Sequence, residues 1–411
     1  MPKDDRLEQV PEDITVDEYQ RRLEQVQREM NDERLDVLLI TSEDNYQYLT
    51  GFNSPTWQNL TRPRYCIVPN TGDPVLIVPS SQTVIAARTS WVKDVRSWVS
   101  PCPADDGLSL VVTALKEYLG NFDRVGAELG PESRLTMPVG DFLEIKQALE
   151  PAETVDCDWM LRKIRMIKSS AEVAHIRHIA QLVSRAFEHL PRHLHAGQTE
   201  TEACRQFQMD LLRMGAEKIV YLVGTSGFGG YQSINLRPTE TILENGTVLI
   251  IDTGCSYKGY YCDFDREFAI GRPTDQMRLA YEIVWTATQA GIDAVRPGQR
   301  TSDIWQAQAA SVSSQTGNKG NSFELTSTGR MGHGLGLRMC EPPSISRDDE
   351  TVLEPGMVLT IEPGITFMGA GRDGPENKVL VHEENVVVTA DGCDLLTRRA
   401  PPEMPVIESI G

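Results

Sequence analysis

The stretch "IIDTGCSYKGYYCDFDREF", residues 250–268, decides how the second half of this chain is read. Asp252 ends a wholly apolar run that reads as a strand. A turn containing Lys258-Gly259 reverses the chain, and Asp263, eleven residues on, lies in a run that returns as a second strand. Carboxylates on paired strands can face each other. Left alone they repel and resist burial, and a shared cation removes that cost. Taken by itself, such a pair reads equally well as turn or cap residues.

Other segments repeat the feature. Glu362 follows an apolar run in "VLTIEPG", and Glu383 and Glu384 sit between valines in "VLVHEENVVV". His333 lies in the glycine-rich "RMGHGLGLRMCEPP", residues 330–343. Acid placed inside three apolar strands, with one imidazole, points to a metal centre. Oxygen donors plus a single nitrogen suit manganese, cobalt, zinc or iron. Two ions bridged by carboxylates need about this many ligands and can activate a water between them.

Length and patterning set the frame. At 411 residues two domains are expected. Strand and helix signals alternate up to about residue 160: a polar helix over 17–34, a buried strand and turn in "DVLLITSEDNYQYLTGF", a hairpin in "YCIVPNTGDPVLIVP", a helix "LSLVVTALKEYLG" with Gly120 as its C-cap, and a strand "RVGAEL". Residues 1–160 therefore read as an α/β domain. Residues 161–411 read as α+β with a mostly antiparallel sheet. Ser169-x-x-Glu172 and Thr199-x-x-Glu202 are capping boxes that open two helices. The strands are "TVLIIDTG", "YYCDFDREFAI", "MVLTIEPGI" and "KVLVHEENVVVT", with helices "DQMRLAYEIVWTATQAGIDAV" and "SDIWQAQAASVSSQTG" between the second and third.

Composition excludes several partners. Net charge is −19, from 40 basic and 59 acidic residues, against the basic footprint that nucleic acid or an anionic membrane requires. No apolar run approaches the roughly 18 residues of a membrane span. The start "MPKDDRLEQVPEDI" is acidic and lacks the apolar core of a secretory signal. Eight scattered cysteines with no C-x-x-C lead us to expect reduced thiols in the cytoplasm.

Taken in order, "DVLLITSEDNYQYLTGF", "RMIKSSAEVAHIR", "GTVLIIDTG", "YYCDFDREF", "GHGLGL…EPP", "VLEPGMVLTIEPG" and "VLVHEENVVVT" make the chain resemble the creatinase/prolidase/aminopeptidase P family, the pita-bread metallopeptidases, over nearly its whole length. The resemblance implies a smaller α/β domain before a pseudo-symmetric α+β pita-bread catalytic domain, and homodimers. It implies two divalent ions held by Asp252, Asp263, His333, Glu362 and Glu383, with Asp263 and Glu383 bridging. Glu362 would also be the general base for the attacking water. Glu384 takes the place of an acid that is not a ligand.

Three positions depart from the family. Cys340 stands seven residues after His333, where peptidases of this family carry a histidine in "H-E-x-P". Asn235, eleven residues before the turn Gly246, takes the place of a second histidine. Val381 stands where prolidases often have an arginine for a substrate carboxylate. Asn235 and Cys340 are thus the expected neighbours of the reacting carbonyl. A thiol and an amide cannot supply an imidazolium's charge, although an amide can still donate to an oxyanion. Arg338, Arg237 and Tyr231 are candidate substrate contacts, with a bracing arginine the alternative for Arg338. His382, next to Glu383, should point to the opposite face, as should Cys262 next to Asp263, while Asp265 should share the face of Asp263. His175, His178, His189, His193 and His195 read as solvated on or after a polar helix.

The expected function is a cytoplasmic, dinuclear metal hydrolase cleaving a C–N bond of a small substrate, best an Xaa-Pro dipeptide or short peptide. The alternatives are a non-peptidase on the same fold, such as a dimethylsulfoniopropionate lyase or an ectoine- or creatine-type hydrolase, and a binding protein that has lost catalysis. Five retained ligands speak against the last.

Overall fold

The computed structural model describes residues 10–59, 61–316 and 323–408. Two compact units divide between Arg165 and Met166, five residues beyond the expected boundary. The outer ends of both expected domains, and the last residue of "SDIWQAQAASVSSQTG", lie outside the described residues. Among the described residues no helix is long and apolar enough to cross a membrane.

The first unit is built on one mixed sheet. Its strands are β1 (Val37–Ile40), β2 (Tyr65–Pro69), β3 (Val75–Pro79), β4 (Asp94–Trp98), β5 (Arg124–Ala127) and β6 (Glu153–Asp156), in the order β4-β3-β2-β1-β5-β6. β1–β2 and β2–β3 are antiparallel and the remaining pairs parallel. "VLLI" of β1 is buried along its whole length, as a central strand covered on both faces must be. Glu128 is buried beside it, yet satisfied: it accepts from the backbone N–H groups of Thr41 and Ser42 and from Asn45 Nδ2. Helix Leu108–Tyr118 ends on Leu119 at φ −61°, so Gly120 is not its left-handed cap; that glycine packs against Asp36 instead.

The second unit carries the two capping boxes as expected, on helices Ser170–His189 and Glu200–Met214. Three long strands follow: β7 (Lys218–Phe228), β8 (Thr247–Tyr257) and β9 (Tyr260–Ile270). The two-residue turn between β8 and β9 has Lys258 and Gly259 at φ 52° and 81°, the left-handed pair that a tight hairpin requires. The short strands are β10 (Phe323–Leu325), β11 (His333–Gly334), β12 (Glu341–Ser344), β13 (Val358–Ile361), β14 (Gly364–Ala370), β15 (Pro375–Val381), β16 (Glu384–Val388), β17 (Cys393–Leu395) and β18 (Val406–Ile407). They make sheets ordered β10-β14-β15, β12-β11-β13-β16-β17 and β18-β9-β8-β7. Helices Asp275–Ala294 and Thr301–Thr316 lie between β9 and β10 in the chain. All pairings are antiparallel except β18 with β9.

Two differences from the sequence reading matter for the site. "MVLTIEPGI" and "KVLVHEENVVVT" were each expected as one strand, and each is two. The first breaks at Glu362-Pro363, between β13 and β14. The second breaks at His382-Glu383, between β15 and β16. Proline has no N–H for a ladder, which accounts for the first break. Both chains change sheet at the break, and the change leaves a glutamate at each corner. The second difference concerns His175 and His178, which are buried at 1% and 8% exposure rather than solvated. Their helix lays that face on β8 and β9, where the His175 ring stacks on Tyr260 and His178 sits 4.6 Å from the Tyr257 ring. His193 and His195 are exposed, as expected.

The glycines around His333 have a steric cause. β11 is squeezed between β12 and β13. A Cβ on Gly332, at φ +145°, would meet the Thr360 carbonyl oxygen at 2.3 Å, and one on Gly334 would meet that of Pro342 at 2.2 Å. Gly332→Ala should therefore destabilise the protein by about 1–3 kcal/mol through strain, read as a lower denaturation midpoint; an unchanged midpoint would contradict this packing.

Candidate metal centre

Register brings the first two carboxylates together. Asp252 pairs with Asp265 and Gly254 with Asp263, so Asp252, Gly254, Asp263 and Asp265 share one face of the β8–β9 ladder. Tyr221 of β7 pairs with Gly254 from the other side. Its ring fills the space a side chain at 254 would occupy, and its hydroxyl donates to Asp252 Oδ1 at 2.7 Å and to Asp263 Oδ1. From the second sheet, Ile361 pairs with Glu384, so Glu362 and Glu383 project just past the same end of β13 and β16. Asn385 ties the two sheets together: its Oδ1 accepts from Asp263 N at 3.1 Å and its Nδ2 donates to Asp263 O at 2.5 Å.

His333 completes the group. Its Nδ1 lies 2.9 Å from the Gly334 carbonyl oxygen, which can only accept, so Nδ1 carries the proton and Nε2 keeps its lone pair. Nε2 lies 3.7 Å from Asp263 Oδ2 and 3.4 Å from Glu362 Oε1. Asp263, His333 and Glu383 offer donor atoms within 4.8 Å of one another, all buried. Thr360 braces two members, accepting from His333 N and donating to Glu362 Oε1, each at 3.0 Å.

Protein atoms alone leave this cluster unbalanced. Glu383 Oε1 is buried with no hydrogen-bond partner. Burial, then the neighbouring carboxylates, push Asp263 and Glu383 well above the usual carboxylate range. Asp252 is pushed up to about 7 by burial and Glu362 is raised by burial. His333 is pushed down to about 4 by burial and by the charge of Arg330, so its imidazole is neutral, the form that binds metal. Crowded oxygens, an orphaned carboxylate oxygen and a neutral imidazole with a free lone pair fit divalent cations.

A second buried group, Asp265, Glu267 and His382, also brings three donors within 4.8 Å. These are engaged with protein atoms. Asp265 Oδ1 accepts from Glu383 N at 3.1 Å, and Glu267 accepts from Tyr231 and lies 3.4 Å from His382 Nδ1. Glu384, beside the expected ligand Glu383, is turned into Arg266 and Arg399 at 3.0 and 3.1 Å.

The other expected site residues separate. Cys340 is brought to the cluster, its Sγ 3.7 Å from His333 Nε2. Asn235 and Arg237 are exposed on the loop after β7, and among the described residues no hydrogen bond or ion pair joins them to the five donors. Tyr231 is corrected: it is 1% exposed, packs in an apolar core and donates to Glu267, so it offers nothing to a substrate. Arg338 is half-buried, with its backbone N–H on Glu341 Oε1. Two functional neighbours escaped the sequence reading. Tyr221 sits thirty-one residues before Asp252 with no motif around it, and Arg330 is three residues before His333.

Residues 174–390 match the model of metallopeptidase family M24, and residues 22–167 match that of the creatinase/prolidase N-terminal domain. The chain belongs to metallopeptidase family M24. It is similar to the probable dipeptidase PepE of Mycobacterium bovis, 27% identical over 373 residues that cover 90% of this chain and 93% of that protein. The Xaa-Pro dipeptidase of Pyrococcus horikoshii is 26% identical over 371 residues, covering 90% and 94%. In three dimensions the chain matches the Xaa-Pro dipeptidase of Bacillus anthracis with a TM-score of 0.80 over 94% of this chain and 99% of that one, at 22% identity. The fold is the pita-bread catalytic domain preceded by a creatinase-type α/β domain.

The raised carboxylates give a pH prediction. Without metal, the folded protein holds protons that the unfolded chain has released above about pH 4, so these groups cost stability as pH rises towards the Asp252 value of about 7. Cations replace those protons. The rise in melting temperature caused by manganese, relative to chelator, should be larger at about pH 7.5 than at about pH 5; equal rises would contradict the assignment.

Proposed function

We propose that the chain is a dinuclear metal-dependent hydrolase that cleaves the amide bond before proline in a dipeptide or short peptide. The single observation that carries this reading is the convergence of Asp263, His333 and Glu383 on one buried point, with Asp252 and Glu362 alongside. In this reading Asp252, Asp263, His333, Glu362 and Glu383 would hold two ions of the manganese, cobalt, zinc or iron class. Bound there, such ions would polarise the substrate carbonyl and acidify a water.

The chain's own residues do the rest. Glu362 is half-buried and reaches solvent with 24% of its side chain, so it can meet both water and substrate. Thr360 holds Oε1 in place. Burial raises its pKa above the usual carboxylate range, which suits a base that takes a proton from the attacking water and returns it to the departing nitrogen. Tyr221 holds Asp252 and Asp263 in one orientation from the β7 side. A thiol at 340 in place of a histidine favours a second reading, a C–N hydrolase of the ectoine or creatine type on the same scaffold. We also propose that the protein works as a cytoplasmic homodimer; eight cysteines free of disulfides support a reducing compartment.

Three measurements test this. With manganese bound, an Xaa-Pro dipeptide panel should be cleaved more readily than creatine or ectoine; hydrolysis of the latter alone would select the second reading. Glu362→Gln should lower kcat by about 10²–10⁴-fold with circular dichroism and melting temperature little changed, whereas activity retained within a few-fold would remove Glu362 as the base. Tyr221→Phe should weaken metal affinity by about 10–100-fold, measured by competition with a chromogenic chelator, and unchanged affinity would deny it a role at the centre.

A further inference from the structure

Cys340 has a neighbour that carries the charge a thiol lacks. Arg330 Nη2 donates to Cys340 Sγ at 3.4 Å, and that sulfur lies 3.7 Å from His333 Nε2. The backbone beside Arg330 is fixed at the site: Met331 N donates to Ile345 O at 2.7 Å, and Met331 O accepts from Glu362 N at 3.2 Å. The guanidinium is thus held on the side of the cluster where Cys340 and Glu362 reach solvent. Its charge acts on Asp263, His333, Cys340 and Glu362.

Arg330 is also underused. Among the described residues the contact with Cys340 is the one hydrogen bond its side chain makes, and no carboxylate pairs with it. A guanidinium has five N–H donors in a planar fork that matches a carboxylate with two parallel bonds. Other candidates for this task are poorly placed. Val381 is apolar and 7% exposed, and Arg237 lies exposed on its loop.

We propose that Arg330 recognises the carboxylate of the substrate in a bidentate pair beside the metal centre, and thereby selects dipeptides. This deepens the peptide-hydrolase reading and rests on it for the substrate class. In a dipeptide the carboxylate carbon is three bonds from the scissile carbonyl carbon, so an anion site adjoining the metal ligands reaches it. In a longer peptide the free carboxylate falls beyond that reach. The thiol at 340 takes up one of the guanidinium N–H groups, and a guanidinium has four more to offer a carboxylate.

Cys340 itself provides a test that needs no turnover. Metal-loaded protein is alkylated with iodoacetate, an anion, or iodoacetamide, its neutral counterpart, and modification of the Cys340 peptide is followed by mass spectrometry. The iodoacetate-to-iodoacetamide rate ratio should exceed that of glutathione. In R330Q it should fall by about tenfold, one charge-assisted pair's worth, with R330K between. Equal ratios in the native protein and R330Q overturn the proposal. Should R330Q fail to fold, the native-to-glutathione comparison and R330K decide it in the same way. In parallel, R330Q should raise KM for an Xaa-Pro dipeptide by about tenfold or more and leave its C-terminal amide and an Xaa-Pro-Xaa tripeptide little affected. Equal losses on acid and amide also overturn it. If native protein cleaves none of these peptides yet keeps the iodoacetate preference, the peptidase reading falls while a carboxylate site at Arg330 stands.

Discussion

Four carboxylates and one neutral imidazole crowd a single buried point, and much of the second unit is arranged around that conflict. Burial raises the pKa values of Asp252, Asp263, Glu362 and Glu383, and the charge of neighbouring carboxylates adds to it at Asp252, Asp263 and Glu383. Such a group cannot ionise together in an apolar interior unless a cation joins it. Folding supplies the crowding through ladders rather than loops. The β8–β9 register sets one pair of acids, and the pairing of Ile361 with Glu384 sets the other. Asn385 locks the two sheets at Asp263.

The supporting residues divide the labour sharply. Acids beside the cluster are engaged by the protein itself: Arg266 and Arg399 take Glu384, and Glu267 accepts from Tyr231 and adjoins His382. Despite its burial, Glu384 is held below the usual carboxylate range by Arg266 and His382. Its neighbour Glu383 is held well above it, with one oxygen unpartnered. Two consecutive glutamates thus meet opposite electrostatics because consecutive positions at the start of a strand point in opposite directions. The glycines at 332 and 334 serve the same end by letting three strands close around His333.

Much of this was legible in the chain. Apolar runs ending in acid announced the strands that carry the clustered acids, the capping boxes marked the helices, and Lys258-Gly259 marked the hairpin. Family motifs then placed five donors that spacing alone left open. What escaped was set by tertiary context. Helical period could not say that the face bearing His175 and His178 would land on β8 and β9. An unbroken valine-rich run concealed the corner at His382-Glu383. Tyr231 looked available because it lies near the Asn235 loop, and its burial depends on a core assembled from β8, β14 and β15. Arg330 carried no motif of its own; its meaning came from the distance to Cys340.

Metal stoichiometry tests the central claim most directly. After equilibrium dialysis against manganese near neutral pH, elemental analysis should find two ions per chain, and Asp263→Asn, which removes one of the clustered carboxylate charges, should leave at most one. Fewer than one ion per native chain, or two retained by Asp263→Asn, would contradict the account of this site.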